Sequence, residues 1–400
     1  MRTPLSGTAD SARLWTQPFV LCFVANFLQG LAFNLFLHFP GFLHELGADD
    51  VEIGWIASLT AVAAILLRAP VGRVMNRQGR RPVILAGGVL NCLAVGLYLG
   101  IHSVGPLLYG VRILHGMAEA MLFSSLFTYA ADHVPARNRT QGLALFGVSG
   151  MLPMSLAGVL GDWLLPRFGY AALFECAFGL SILSLLSSLP LSEGFRPRTH
   201  TPGAEGLGAA LSQADLAPLW MLGAVFSVVL TAFFIFIKRF VDETGIGSVG
   251  LFFTAYTVAA LTLRIFFGWL PDRVGAKRVL LPSLASLALG FAWMAGARNG
   301  HDLAVAGVLC GVGHGYAFPI LFGLVVTRTP EANRGMAMAV FTALFDLGVL
   351  VGGPAFGWVI EARGFAAMFG VAGLLITIGT LVFFTWDART GVRARGDPGP

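Results

Sequence analysis

A short basic segment occurs twice in the chain. The stretch from Gly72 to Arg81, which includes Asn76, Arg77, Gly79 and Arg80, returns between Gly268 and Arg278, where Asp272, Arg273 and Gly275 stand. Arg68 and Arg264, Gly72 and Gly268, Arg77 and Arg273, and Gly79 and Gly275 are each 196 residues apart. At a spacing of 195 the echo continues in Gly116 and Gly311, Pro135 and Pro330, Asn138-Arg139 and Asn333-Arg334, and the runs Gly169 to Phe174 and Gly364 to Phe369. An offset kept at so many positions marks a tandem duplication. Both copies set the basic loop between two long apolar runs, so the two halves share one orientation and each holds an even number of spans. Parallel repeats of this kind build membrane transport folds.

Composition agrees with a membrane protein. Hydrophobic residues make up 56% of the 400 and charged residues 12%, about half the charged fraction usual in soluble domains. The net charge of +5 does not point to nucleic acid, because the basic residues sit in short clusters beside apolar spans, where the positive-inside bias accounts for them. Cys22, Cys92, Cys176 and Cys310 all fall within expected spans without Cys-x-x-Cys spacing, so no disulfide framework, zinc site or other metal site is indicated. Residues 1–17 are polar, and the apolar run after them is full length without a small-residue cleavage pattern. That run reads as a retained span.

Runs of about 20 apolar residues suit a bilayer core, and twelve are expected. The first six lie near 18–39, 53–75, 82–100, 105–130, 142–165 and 171–189; the second six near 217–237, 250–270, 279–297, 303–326, 336–360 and 365–385. The fold class is therefore all-α and integral to the membrane. A tail at 1–17 precedes a six-helix bundle at 18–189, a Pro-, Gly- and Ser-containing linker at 190–216 leads to a second bundle at 217–385, and a tail at 386–400 follows. With a cytoplasmic amino terminus, eighteen of the 26 Lys and Arg residues fall in cytoplasmic segments, five in outer loops and three, Arg68, Arg112 and Arg264, within spans. This asymmetry places both termini in the cytoplasm.

Ionisable groups inside a bilayer cost about 2.5–3.5 kcal/mol on insertion scales, so those present usually face a partner or a cavity. In the fourth span Arg112, His115, Gly116 and Glu119 follow at i, i+3, i+4 and i+7, which puts them on one helical face. Arg112 can pair a carboxylate or hold an anionic group, and a partly desolvated Glu119 can exchange a proton; alternatively the ladder fixes packing alone. His314 stands 195 residues after Glu119 and reads either as its proton partner across the repeat axis or as a packing residue. Asn26, Gln29 and Asn34 in the first span could line a substrate path or bond to a neighbouring helix. Asp346 stands alone in the eleventh span, ahead of Gly348, Gly352, Gly353 and Pro354. Glycines four apart admit close helix approach and the proline frees a carbonyl, so Gly353 and Pro354 read as a hinge and packing surface.

These features resemble the major facilitator superfamily over nearly the whole chain. The loop at Gly72 is similar to the superfamily signature G-x-x-x-D-R-x-G-R-R, with Asn76 in the acidic position that the second copy keeps as Asp272. The resemblance implies that this acid latches the cytoplasmic ends of neighbouring helices, with Gly72, Asn76, Arg77, Gly79, Arg80, Asp272, Arg273, Gly275, Gly353 and Pro354 as gating positions. Leu108, Arg112, His115 and Gly116 look like the fourth-span signature of proton-driven antiporters, with His for the usual Gln. The fifth-span signature is degenerate, since two residues separate Pro153 from Gly150.

The resemblance further implies a central cavity among spans one, four, seven and ten, drawing Asn26, Gln29, Asn34, His115, Thr231 and Tyr316 to the substrate and Glu119, Arg112, His314 and Asp346 to the proton. The expected activity is rocker-switch efflux of a small organic molecule, such as a drug, a sugar, or a metallophore or siderophore, in exchange for protons. The implied setting is a monomer in a bacterial inner membrane. A proton-coupled importer or facilitator of a sugar or organic acid, and a receptor or scaffold that keeps the fold without transporting, are the competing readings. No phosphate loop, nucleophile elbow or His-rich cluster is present, so neither an enzyme nor a cofactor is expected.

Overall fold

The computed structural model describes residues 15–134, 139–193, 213–330 and 333–393. Residues 1–14 and 394–400 of the tails, 194–212 of the linker, Pro135 and Asn138 lie outside those residues, as does the side chain of Asn76. The described chain is helical: α1 Gln17–Leu35, α2 Phe39–Glu45, α3 Asp50–Gln78, α4 Arg81–Leu97, α5 Pro106–His133, α6 Arg139–Ser188, α7 Ala217–Phe234, α8 Ile237–Thr244, α9 Val249–Phe267, α10 Leu270–Val274, α11 Ala276–Ala295, α12 Gly300–Arg328 and α13 Arg334–Arg393.

Local chemistry sets the boundaries. Asp49, Ser248 and Asn299 cap α3, α9 and α12 by accepting from the backbone N–H three residues on, the usual way of satisfying an orphan donor at a helix start. Prolines open α4, α5 and α7, where their missing N–H costs nothing. Gly79 and Gly275, at φ +97° and +106°, close the helices that end in the two basic loops. This left-handed backbone is where glycine is needed.

α6 and α13 run to 50 and 60 residues, far more than the roughly 20 that cross a bilayer. Each is two helices joined at a glycine of positive φ, Gly169 (+71°) and Gly364 (+79°). These are the repeat pair whose sequence spacing is 195. Nine helical stretches among the described residues are long and apolar enough to cross a membrane. α6 and α13 each count once among them, and α5 falls outside the nine.

The amino-terminal half packs α1 on α6 and gathers α3, α4 and α5; the carboxy-terminal half packs α7 on α13 and gathers α9, α11 and α12. Two long helix pairs join the halves, α3 with α13 and α6 with α9, and the short helices α2 and α8 also meet across them. The starts of α3 and α9, with the glycine breaks of α6 and α13, define a distal face, opposite the chain termini. There the helices approach through glycines: a Cβ on Gly158 would lie 3.0 Å from Gly250 Cα, and one on Gly54 would lie 2.8 Å from Pro354 N, beside Gly353. Gly54 and Gly250 are 196 residues apart and Gly158 and Gly353 are 195 apart, so the two crossings are copies of one contact. Ser155 bonds Thr254 at 2.8 Å on one seam, and Ser58 donates to the Val349 carbonyl at 3.0 Å on the other.

Candidate functional site

Most of the polar side chains that the sequence singles out in the first half meet in one chain of contacts. Gln29 of α1 donates from Nε2 to Glu119 Oε1 of α5 at 2.5 Å. Asn91 of α4 donates to Gln29 Oε1 at 3.1 Å and to Ser181 Oγ of α6 at 2.9 Å. His115 Nε2 lies 3.9 Å from Glu119 Oε1, beyond hydrogen-bond range and near enough to pair when the ring is charged. Its Nδ1 faces the Tyr98 hydroxyl at 3.4 Å, and that hydroxyl also accepts from Arg112 at 3.4 Å. The line from Ser181 to Arg112 thus draws on four helices of the first half and on Tyr98, which follows α4. Buried polar groups of this kind are stable when their bonds are satisfied by one another.

Arg112 departs from the expected role of a cavity cation. It is buried, its Nε donates to the Ile56 carbonyl at 3.1 Å and its Nη2 to the Ala57 carbonyl at 2.7 Å, and its guanidinium lies 4.6 Å from the Phe39 ring centroid. It clamps the backbone of α3 to α5. Glu119 keeps 19% of its side chain exposed, which leaves its carboxylate the accessible member of the cluster.

The remaining expected substrate residues bond elsewhere. Asn26 donates to Ser149 Oγ at 2.8 Å, Asn34 turns back to the Gly30 carbonyl of its own helix at 2.7 Å, and Thr231 donates to the Val228 carbonyl at 2.6 Å. Tyr316 donates to the Phe267 carbonyl at 2.8 Å. His314 is hydrogen-bonded through Nδ1 to the Tyr256 hydroxyl and sits edge-on among Phe226, Phe234 and Phe318, at centroid distances of 5.4, 6.2 and 5.9 Å. Glu119 and His314 are therefore each held within their own half. Asp346 is not alone: Arg68 Nε bonds its Oδ2 at 2.6 Å, joining α3 to α13 across the two halves.

The basic loops are tied down unequally. Arg80 pairs with Asp132 at 2.9 Å and donates to the Met75 carbonyl at 3.0 Å, while Arg81 donates through its backbone to Glu193 at 2.8 Å. Gly72, within α3, has open space where a Cβ would sit, and Arg77 is exposed. In the second copy Asp272 is exposed and Arg273 stacks over Trp269, 5.0 Å from the ring centroid.

Sequence reasoning missed Asn91, Tyr98 and Ser181 of the cluster, the partnership of Arg68 with Asp346, and the pair His38–Asp162, whose Nε2 and Oδ1 are 3.1 Å apart. Asn91 and Asp162 lie in apolar runs; the rule that selected Glu119 would have found Asp162, and the polar-residue reading given to Gln29 would have found Asn91.

Two repeat-related helical halves, bilayer-length apolar helices and a polar cluster in the interior define an integral membrane transport protein. The chain belongs to the Major Facilitator Superfamily, whose family model matches residues 19–247 and again 219–398. Among similar curated proteins is the staphylopine export protein of Staphylococcus aureus, 22% identical over 390 residues that cover 92% of this chain and 95% of that protein. An MFS-type transporter of Pseudomonas aeruginosa is 27% identical over 350 residues, covering 82% and 83%. Of solved structures, the peptide transporter PepTSo superposes with a TM-score of 0.76 at 12% identity, covering 94% of this chain and 98% of that one. The human organic anion transporter MFSD10 superposes at 0.71 and 18%, covering 92% and 99%. At such identities the superpositions speak for the fold alone.

Proposed function

We propose that the protein is a secondary transporter of a bacterial inner membrane that exports a small organic molecule in exchange for protons, with both termini in the cytoplasm. The observation that carries this reading is the Glu119 carboxylate, part exposed and bonded to the neutral amide of Gln29, with His115 standing 3.9 Å away. As a carboxylate, Glu119 accepts from Gln29, and Gln29 is oriented by Asn91. Once protonated it keeps an oxygen that can accept from Gln29 and gains an O–H that needs an acceptor of its own. Charge on Glu119 is thereby linked to the arrangement of α1, α4 and α5. The likeness to a staphylopine exporter supports the outward direction.

The distal face, where the halves are joined, is the outer face in this reading, so the conformer is the one sealed to the outside. Cargo enters from the cytoplasmic side, and the halves rock to exchange it for a proton. Because Arg112 is bound to backbone carbonyls, it does not act as the anion-binding group. The cargo instead meets Glu119 and Phe33, whose ring lies 6.3 Å from that of His115. This favours an amphiphilic molecule carrying a donor or a cationic centre.

Purified protein in liposomes loaded with a pH-sensitive dye tests the proposal, under an imposed pH gradient and against a panel of drugs, sugars, organic acids and metallophores. A cargo that drives proton release in the wild type and fails to do so in Glu119→Gln, while still binding, is the expected result. Cargo flux that moves no protons would overturn the antiport reading.

A further inference from the structure

At the distal face each half lends a carboxylate to a helix start of the other. Asp162, on α6 of the first half, accepts from the Gly250 N–H at the start of α9 in the second half, at 2.6 Å. Glu361, on α13 of the second half, accepts from the Asp50 N–H at the start of α3 in the first half, at 2.9 Å. The two helices already carry caps of their own: Asp49 takes the Glu52 N–H at 2.7 Å and Ser248 takes the Leu251 N–H at 3.1 Å. A helix start has four orphan donors and a partial positive charge. In both helices the local cap satisfies one donor and the opposite half satisfies another.

The arrangement follows the internal repeat, displaced by one helical turn. Asp162 lies four residues after Gly158, whereas Glu361 lies eight after the equivalent Gly353; likewise Gly250 is the equivalent of Gly54, and the bonded Asp50 lies four residues before it. The shift occurs on both helices of the pair, so the geometry is preserved although the acids do not align in sequence. Each carboxylate, or the N–H it holds, is anchored further. His38, buried between α1 and α2, faces Asp162 Oδ1 at 3.1 Å, and the Asp50 side chain pairs with Arg239 of the second half at 3.0 Å.

We infer that Asp162 and Glu361 are the positioning residues that hold the distal gate shut during transport, as reciprocal caps between the halves. Opening the gate separates α6 from α9 and α3 from α13. It strips one N–H of its acceptor on each side and returns both carboxylates to water, which can rebond the freed groups. The latch therefore biases the equilibrium without locking it. This inference concerns the gate and holds whether the carrier exchanges protons or not.

The test uses full-length protein in liposomes bearing one introduced cysteine at the distal face, with the rate of labelling by a membrane-impermeant maleimide as the readout. Removing a charge-assisted hydrogen bond that is made only in the closed state changes the closed-to-open ratio by about tenfold. Asp162→Ala and Glu361→Ala are each expected to raise distal labelling by about that factor and to lower labelling of a cysteine at the terminal face. Asp162→Asn, whose amide oxygen can still accept from Gly250, is expected to recover part of the effect. His38→Ala, which leaves both caps in place but removes an anchor, is expected to fall between. Unchanged labelling at both faces in folded, monodisperse Ala variants would overturn the inference, as would labelling that rises at both faces together, the sign of general loosening.

Discussion

Replacing Gly158 with alanine tests the glycine crossings that bring the halves together. The new Cβ would lie 3.0 Å from Gly250 Cα and 3.3 Å from Gly250 N, against about 3.5–4.0 Å for unstrained carbon contacts. The neighbouring atoms are backbone, so no side chain can swing aside, and α6 and α9 must part by roughly half an ångström or more. Overpacking of this sort costs about 1–3 kcal/mol. The strain exists only while the distal face is closed, so it shifts the closed-to-open ratio by about 5- to 150-fold. Gly353→Ala meets the Gly54 carbonyl and Ser58 on the other seam and is expected to act in the same direction. Spin labels on the distal ends of the two halves, read by pulsed double resonance, should report a longer distance in both variants. A distance distribution identical to wild type, in protein that remains folded, would refute the reasoning.

The remaining expectations concern the interior. Asn91→Ala leaves Gln29 Oε1 and Ser181 without their donor in a buried site and should cost about 1–3 kcal/mol of stability, read as a lower melting temperature in detergent. Arg112→Lys cannot reach the Ile56 and Ala57 carbonyls together. It is expected to lower thermal stability by a similar amount while cargo affinity stays within a few-fold, since the side chain is a clamp in this structure; a selective loss of binding would return Arg112 to the cavity. For the Arg68–Asp346 pair, Arg68→Ala and Asp346→Asn should each slow transport more than the double variant does, because either single change leaves a half-buried charge unpaired. Additive losses in the cycle would show that the two residues act separately.

The fold was legible because its signals are long-range and redundant. The duplicated glycines and arginines, the apolar run lengths and the glycine breaks at Gly169 and Gly364 all report the same architecture. The cluster at Glu119 was partly legible for a related reason: an ionisable ladder on one helical face has to satisfy itself in the interior, and Gln29 lies on the neighbouring span. Partners could not be read. Whether Arg112 meets a carboxylate, a cargo or two backbone carbonyls depends on how close α3 passes, and that is set by Gly116, whose Cβ would lie 2.6 Å from Thr60 Cα. Thr60 and Tyr256 are 196 residues apart, so the same crossing in the second half brings Tyr256 to His314. Asn34 and Thr231 show the opposite case, since their hydrogen bonds close within their own helices and leave no trace in spacing. The reciprocal caps were hidden because the two acids differ by one turn from the repeat.

The contacts between the halves are graded along α3 and α6, away from the distal face. Nearest the distal face are the carboxylate caps and the Asp50–Arg239 pair, next the glycine crossings, then the hydroxyl contacts of Ser58 and Ser155, and deepest the Arg68–Asp346 bridge. The shallow contacts involve groups that water can serve when the halves separate. The glycine crossings involve backbone packing that separation of the halves would break. The bridge differs, because two charges 24% and 14% exposed gain little from water at that depth and resist separation more than surface pairs do. A rocking motion that opens the distal face while pivoting near mid-depth keeps Arg68 and Asp346 together and breaks the rest. In such a motion the bridge is the pivot of the two halves and the contact expected to persist in both conformers. Cysteines substituted at Arg68 and Asp346 should then crosslink equally well in variants biased to either face, whereas cysteines at Ser155 and Thr254 should crosslink only when the distal face is closed; crosslinking at the bridge that tracks the distal face would remove the pivot.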